Sequence, residues 1–166
     1  MIYLATDHTG FKLKEKIKQQ LVDDGYEVED CGAFENDPND DYPDFIAAAA
    51  KKVSKNPNDF GIVMGGSGQG EAITANKFSD VRCATFYTPS VPRSEVDVTG
   101  IKSTDPYEIL KLTRAHNNSN MLSLGVRFLT EEESIKAVKI FLESPFTGEQ
   151  RHQRRIDKIK KIEENL

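Results

Sequence analysis

Four glycines fall within the six residues Gly65-Gly66-Ser67-Gly68-Gln69-Gly70, between the apolar run Phe60-Gly61-Ile62-Val63-Met64 and the helix-like run Ala72-Ile73-Thr74-Ala75-Asn76-Lys77. Few folds accommodate a buried strand that dissolves into glycine and restarts as a helix. Glycine tolerates positive φ and lets the backbone come close to a ligand, and the first N–H groups of the new helix have no partner inside it. The helix dipole adds partial positive charge at the same place, so the turn reads as a pocket for an anion. Glu71 sets a carboxylate at the head of that helix and is the first candidate for a catalytic base. The plain alternative is a tight turn with no ligand. No Gly-Lys-Ser/Thr follows, as a nucleotide-binding P-loop requires, and the glycine spacing misses the dinucleotide fingerprint by one residue. A small phosphate or oxyanion suits the loop better than a dinucleotide.

The remainder of the chain gives this turn a setting. Ile2-Tyr3-Leu4-Ala5 reads as a strand ending in the polar turn Thr6-Asp7-His8-Thr9-Gly10. Leu13, Ile17 and Leu21 put an apolar face on a helix from Phe11 to Asp24, which Gly25 stops. Tyr26–Asp30 alternates as a second strand, and Asp44–Val53, with four consecutive alanines, reads as a helix. Val81–Phe86 and Met121–Gly125 complete five strands. Short apolar strands alternating with helices, and no hairpin signals, predict an α/β fold with a parallel sheet covered on both faces. Ligands bind such sheets at the carboxyl ends of the strands. Asp7-His8 and the glycine turn both fall there, and Thr88–Thr104, without a clear period, is expected to be a loop overhanging the same rim.

Further on, Thr130 and Glu133 form a capping box, and Ile135, Val138 and Leu142 stripe the helix that follows. A last helix from about Glu149 carries the stripe Ile156, Ile159, Ile162 and Leu166, with Arg151 and Arg155 along its edge, where they are expected to face protein. Two guanidinium groups one turn apart make a fork suited to a phosphate dianion. Solvated charges in a basic tail are the competing reading.

At 166 residues one domain spanning 1–166 is expected, burying roughly 70% of its unfolded surface. With 22 basic and 27 acidic residues the net charge of −5 speaks against nucleic acid, and Asp157, Glu163 and Glu164 break up the cationic run near the end. Cys31 and Cys83, with no leader-like or membrane-length apolar run, suggest a reduced, cytoplasmic setting and no membrane partner. Asp37, Asn39 and Asp41 mimic the start of a calcium loop, but Tyr42 replaces its glycine and Ala48 its final glutamate. The three histidines and two cysteines lack metal-ligand spacing, so no metal or other cofactor is expected.

Six motifs in order carry a resemblance: Asp7-His8 with Gly10, Asp41-Tyr42-Pro43-Asp44-Phe45, Gly66-Ser67-Gly68-Gln69-Gly70-Glu71, Ala75-Asn76-Lys77, Arg114-Ala115-His116-Asn117-Asn118 and Arg151-His152-Gln153-Arg154-Arg155-Ile156-Asp157. Together they resemble the type B ribose-5-phosphate isomerase family, which includes the galactose-6-phosphate isomerase subunits. The resemblance implies a Rossmann-like three-layer sandwich with a five-stranded parallel sheet, a C-terminal helix used in dimerisation, and a homodimer or tetramer with active sites shared between subunits. It implies that Glu71 moves a proton between C2 and C1 of a phosphorylated sugar through an enediolate. It further implies an oxyanion hole of N–H groups from Ser67 to Gly70, including Gly68, beside Gly66. His116 or Asp7 would open the sugar ring, Tyr42 and Asn117 would contact the sugar, and Arg151, Arg155, His8 and Arg127 would hold the phosphate. Many family members carry a cysteine where this chain has Gly65, and the Thr88–Thr104 segment is longer than the family usually carries there.

These readings converge on an aldose-ketose isomerase acting on ribose 5-phosphate and ribulose 5-phosphate. A hexose phosphate, galactose 6-phosphate or allose 6-phosphate, is the rival substrate, and a sugar-phosphate-binding module without chemistry is the rival of another class.

Overall fold

The computed structural model describes residues 1–165. Five strands, β1 (Ile2–Thr6), β2 (Val28–Asp30), β3 (Phe60–Gly65), β4 (Cys83–Phe86) and β5 (Met121–Gly125), form one sheet in the order β2-β1-β3-β5-β4, every pair parallel. The helices are α1 (Phe11–Asp23), α2 (Tyr42–Lys55), α3 (Gln69–Ala75), α4 (Glu108–Asn117), α5 (Glu131–Glu143) and α6 (Gln150–Glu163). Among the described residues no helix is long and apolar enough to cross a membrane.

Parallel strands need crossovers, and the crossovers cover both faces. Ile2, Leu4, Ile62, Met64, Leu122 and Leu124 turn to one face, where Ile17 and Leu21 of α1, Leu110 of α4 and Ala137, Val138 and Phe141 of α5 meet them. Tyr3, Ala5 and Val63 turn to the other, against Ile46, Ala49, Ala50 and Val53 of α2 and Ala75 of α3. The alanines let α2 lie close to the sheet. The result is the three-layer Rossmann-like sandwich expected, with α6 lying outside it against α4.

Several element boundaries differ from the pattern-based reading. The second strand begins at Val28 instead of Tyr26, because Gly25 takes φ 87° and the Tyr26 N–H turns back to the Leu21 carbonyl. The second helix begins at Tyr42, two residues earlier than periodicity suggested, with Pro43 in its first turn where a missing N–H costs nothing. The fourth strand loses Val81 and Arg82, whose N–H groups go to the Phe78 carbonyl and to Asn120 Oδ1. At the free side of β4 the Asn76 amide donates to the Cys83 carbonyl at 2.9 Å, and its oxygen accepts from the Cys83 N–H at 2.8 Å.

The α6 stripe is only partly covered. Ile159 is 47% exposed and Ile162 is 61% exposed, and Leu166 lies outside the described residues. Arg155 is exposed and Arg151 pairs with Glu149, so the expectation that both arginines face protein fails within one chain. Packing on α4, with Glu163 and Lys160 reaching Asp80, leaves one edge of the stripe uncovered.

Candidate active site

From β1 the chain crosses to β2 on one side, while β3 lies on the other, which opens a crevice at the carboxyl ends of β1 and β3. Asp7 and His8 leave the end of β1 into a single 3-10 turn, His8–Gly10, capped by Asp7 Oδ1 accepting from the Thr9 N–H at 2.9 Å. The glycine turn leaves the end of β3 beside it.

In that turn Gly68 takes φ 75°, a left-handed conformation that side chains resist. It also packs so close to β5 that a methyl there would stand 3.0 Å from the Leu124 carbonyl carbon and 3.1 Å from the Gly125 nitrogen. The Ser123 hydroxyl anchors the Gly68 carbonyl at 2.7 Å. Among the described residues no acceptor meets the N–H groups of Ser67 and Gly68. The Ser67 hydroxyl accepts from the Gln69 N–H. The following helix, α3, is two turns long, starting at Gln69, ahead of the helix-like run, and ending at Ala75, two residues short of its end.

Glu71 is the centre of the arrangement. It is 4% exposed, and its carboxylate folds back under the loop against the α-carbon of Gly65, filling the space that any side chain at position 65 would claim. Burial pushes its carboxyl pKa up and the neighbouring charge of Asp7 adds to the rise, while a hydrogen bond to its own backbone opposes it. Asp7 is itself 7% exposed. Two buried carboxylates in one crevice hold Glu71 above the usual carboxylate range, the direction that suits a general base. Burial, with the Glu71 charge adding to it, raises the Cys83 thiol far above its usual range, so the thiol stays protonated.

The rim carries further expected residues. Tyr42, in the first turn of α2, lies over Gly70, where a methyl would stand 2.6 Å from its hydroxyl oxygen. Arg127 lies over Gly66 and its N–H donates to the Gly66 carbonyl at 3.1 Å. Tyr87 and Thr88, at the stem of the Thr88–Thr104 segment, line a depression with Ser67, Gln69 and Phe128. The rest of the segment departs from the expected overhang: Val91, Pro92 and Arg93 lie along Ile109 and Leu112 of α4, and Asp97 feels the charge of Arg151.

His116, Asn117, Arg151 and Arg155 are elsewhere. Helix α4 runs back from the rim to the start of β5, so its last turn lies at the amino end of the sheet, where the Asn117 and Asn118 carbonyls accept from Arg82. A five-residue strand separates the two ends by roughly 16 Å. There His116 stacks on His152, ring centroids 4.2 Å apart and planes 11° from parallel. His152 is 2% exposed and neither ring nitrogen has a hydrogen-bond partner among the described residues; burial and the neighbouring positive groups lower its pKa, against the charge of Glu149, 3.8 Å from Nε2. One chain thus brings together Asp7, His8, Tyr42, Gly66, Ser67, Gly68, Gly70, Glu71 and Arg127, and holds His116, Asn117, Arg151 and Arg155 apart from them.

Asp40 was not anticipated. Its Oδ1 takes both the backbone N–H of His8 at 3.1 Å and the His8 ring nitrogen Nδ1 at 2.6 Å. A loop aspartate among four acidic neighbours carries no pattern that marks it, except that it precedes the Asp41-Tyr42-Pro43 motif directly. Lys14 was missed as well: fully buried, it donates to both Asp30 oxygens and to the Ala33 carbonyl, fixing the start of the loop that carries Asp40. Asp7, His8 and Asp40 each offer a donor atom within 4.8 Å of the others. Two ligands on one zinc ion stand about 3.3 Å apart, from bond lengths near 2.0–2.1 Å in a tetrahedron. The 2.6 Å His8–Asp40 contact is a hydrogen bond, not a ligand pair.

A family model described as Ribose/Galactose Isomerase matches residues 2–99 and 101–159. Ribose-5-phosphate isomerase B of Mycolicibacterium paratuberculosis is 39% identical over 162 residues, covering 98% of this chain and 91% of that protein. The probable ribose-5-phosphate isomerase B of Mycoplasma genitalium is 40% identical over 163 residues, covering 98% and 95%. A crystal structure of the Mycoplasma genitalium ribose-5-phosphate isomerase B with bound ribulose-5-phosphate matches with a TM-score of 0.86 at 39% identity, over 99% of this chain and 97% of that one.

Proposed function

The chain belongs to the ribose/galactose isomerase family, and on that premise we propose that it interconverts ribose 5-phosphate and ribulose 5-phosphate. The observation that carries the reading is the Glu71 carboxylate, desolvated against Gly65 beneath N–H groups with no acceptor.

In open-chain ribose 5-phosphate, Glu71 removes the proton on C2. The electron pair of that C–H bond forms the C1–C2 double bond, and the carbonyl electrons move onto O1, where the N–H groups of Ser67 to Gly70 meet the new charge. One such donor is worth roughly 100- to 1,000-fold in rate. Glu71 then returns the proton to C1, and the C2 hydroxyl proton passes to O1 as the ketone forms at C2. Asp7, beside Glu71, discourages early ionisation of the base, and Asp7 or His116 opens the sugar ring. Tyr42 and Asn117 contact the sugar, while His8, Arg127, Arg151 and Arg155 hold the phosphate.

His116, Asn117, Arg151 and Arg155 reach the crevice from a second copy of the chain, so the working unit is a homodimer or a tetramer of such dimers, with α6 at the interface. The exposed Ile159 and Ile162 and the uncovered Arg155 support this reading. Residues 1–166 act as one domain, in the cytoplasm.

Glu71→Gln tests the whole reading: turnover should vanish while substrate affinity stays within about threefold, because the amide keeps the shape and loses the base. A variant that still turns over would remove Glu71 from the mechanism. The family description also names galactose. Turnover across pentose and hexose phosphates therefore fixes the substrate, and a hexose preference would overturn ribose 5-phosphate.

A further inference from the structure

The geometry points to Asp40 as the positioning residue that fixes the His8 ring and stands beside it as its counter-charge, so that His8 meets the substrate phosphate as a cation. The inference rests on the proposal that His8 helps to hold that phosphate, and it adds a residue to which neither the motifs nor the comparisons assign a role.

Three observations carry it. First, one carboxylate oxygen, Asp40 Oδ1, accepts from both the backbone N–H and the ring Nδ1 of His8, a two-point grip that fixes the ring and leaves Nε2 as its free donor. Among the described residues Nε2 has no partner. Second, the Asp40 side chain is only 9% exposed against 33% for His8, and its other oxygen, Oδ2, is buried with no hydrogen bond. A buried carboxylate with half its acceptors idle is costly unless a counter-charge stands beside it. The His8 ring, once protonated, supplies that counter-charge at 2.6 Å. Losing the Nε2 proton would keep the Nδ1–H bond to Asp40 but remove the counter-charge beside the carboxylate. Third, the aspartate reaches His8 from a loop 32 residues on, and that loop is fixed at its start by Lys14 and at its end by Tyr42 entering α2.

The charges facing His8 agree in sign with this arrangement. The Asp40 hydrogen bond is the largest influence and raises its pKa, Asp7 raises it further, and burial and Arg127 lower it. The raised value means that protonated His8 persists to higher pH than a free imidazole, whose pKa is about 6.5. A phosphate monoester is a dianion above its second pKa of about 6. Without Asp40 the imidazole would lose its charge just as the ligand completes its own.

The experiment is an NMR titration of the His8 ring in the free protein, wild type against Asp40→Asn, joined to binding of inorganic phosphate and to steady-state kinetics from pH 6 to 8.5. In the variant, His8 should lose its proton at least about tenfold more easily. Phosphate affinity and KM for ribose 5-phosphate should then worsen about tenfold between pH 6 and 8, with KM moving more than kcat, while the wild type stays flat. In a His8→Gln background, Asp40→Asn should add no further pH dependence, which separates action through His8 from general damage to the loop. An unchanged His8 titration, or the same pH-dependent loss without His8, overturns the inference. The titration and the phosphate binding need no turnover, so an inactive wild-type protein would refute the isomerase reading while leaving this one decided on its own.

Discussion

Gly65→Ala asks directly where the base stands. A methyl on Gly65 would overlap Oε1 and Cδ of Glu71 outright and stand 2.8 Å from Oε2. Real Cβ atoms keep about 3.0 Å from other heavy atoms, so the carboxylate has to withdraw by more than an ångström. The backbone offers no resistance, because Gly65 lies in β3 and does not take a positive φ. The conflict therefore falls on the flexible end of Glu71. Displacing a reacting group by about 1 Å costs roughly 100-fold, and losing general-base catalysis altogether costs roughly 100- to 10,000-fold, so kcat should fall within that range. Expelling the carboxylate also relieves the desolvation that raises its pKa, so the melting temperature should stay within about 5 °C of wild type. The assay is ketose formation from ribose 5-phosphate, with exchange of the C2 proton into deuterated water followed by NMR and a thermal melt on the same sample. A folded variant whose kcat and C2 exchange stay within about threefold of wild type would refute the placement of the base.

The other predictions are shorter. Because the folded state raises the Glu71 pKa, the ionised carboxylate weakens folding, and stability is lost as pH rises through the folded value. Glu71→Gln should therefore melt higher than wild type at pH 8, with the gap closing below about pH 4, and equal melting at pH 8 would mean the carboxylate is not desolvated. Arg151→Ala or Arg155→Ala should raise KM, each removing a charge-assisted bond worth roughly 1.5–3 kcal/mol, and unchanged kinetics would return them to surface charges. Glu71→Gln and His116→Ala chains, each inactive, should recover about a quarter of wild-type activity when refolded together in equal amounts, since half the dimers then hold one intact site of two. No recovery would remove the partner's His116 from the site.

What the residues disclosed early was whatever depends on neighbours in the chain. A glycine run between an apolar strand and a helix specifies its own turn, and the carboxylate at the helix head follows from position alone, so Glu71 and the loop were legible. The carboxyl-end placement of Asp7-His8 was legible too, because strand direction settles it. His116 and Asn117 share a motif, yet their place at the far end of the sheet follows from the return path of α4, which a motif does not encode. Asp40 and Lys14 were illegible for a related reason. Each acts through a partner 16 to 32 residues away, and no periodicity sets a bonded aspartate apart from the solvated ones around it. The covering of α6 was misjudged because an amphipathic stripe announces that something packs there without saying which chain supplies it.

The side-chain amide of Asn76, facing the N–H and C=O of Cys83, imitates one residue of an absent sixth strand. An uncovered sheet margin of uncharged residues, such as Cys83-Ala84-Thr85-Phe86, is a template for a stranger's backbone and a starting point for fibrils. By occupying the first rung itself, Asn76 denies the opening register to any incoming chain. At the opposite margin Val28-Glu29-Asp30 achieves the same end by charge, with Glu29 tied to Lys52. The two borders of the sheet are thus closed to stray pairing by different means, a side-chain amide at one and fixed charge at the other.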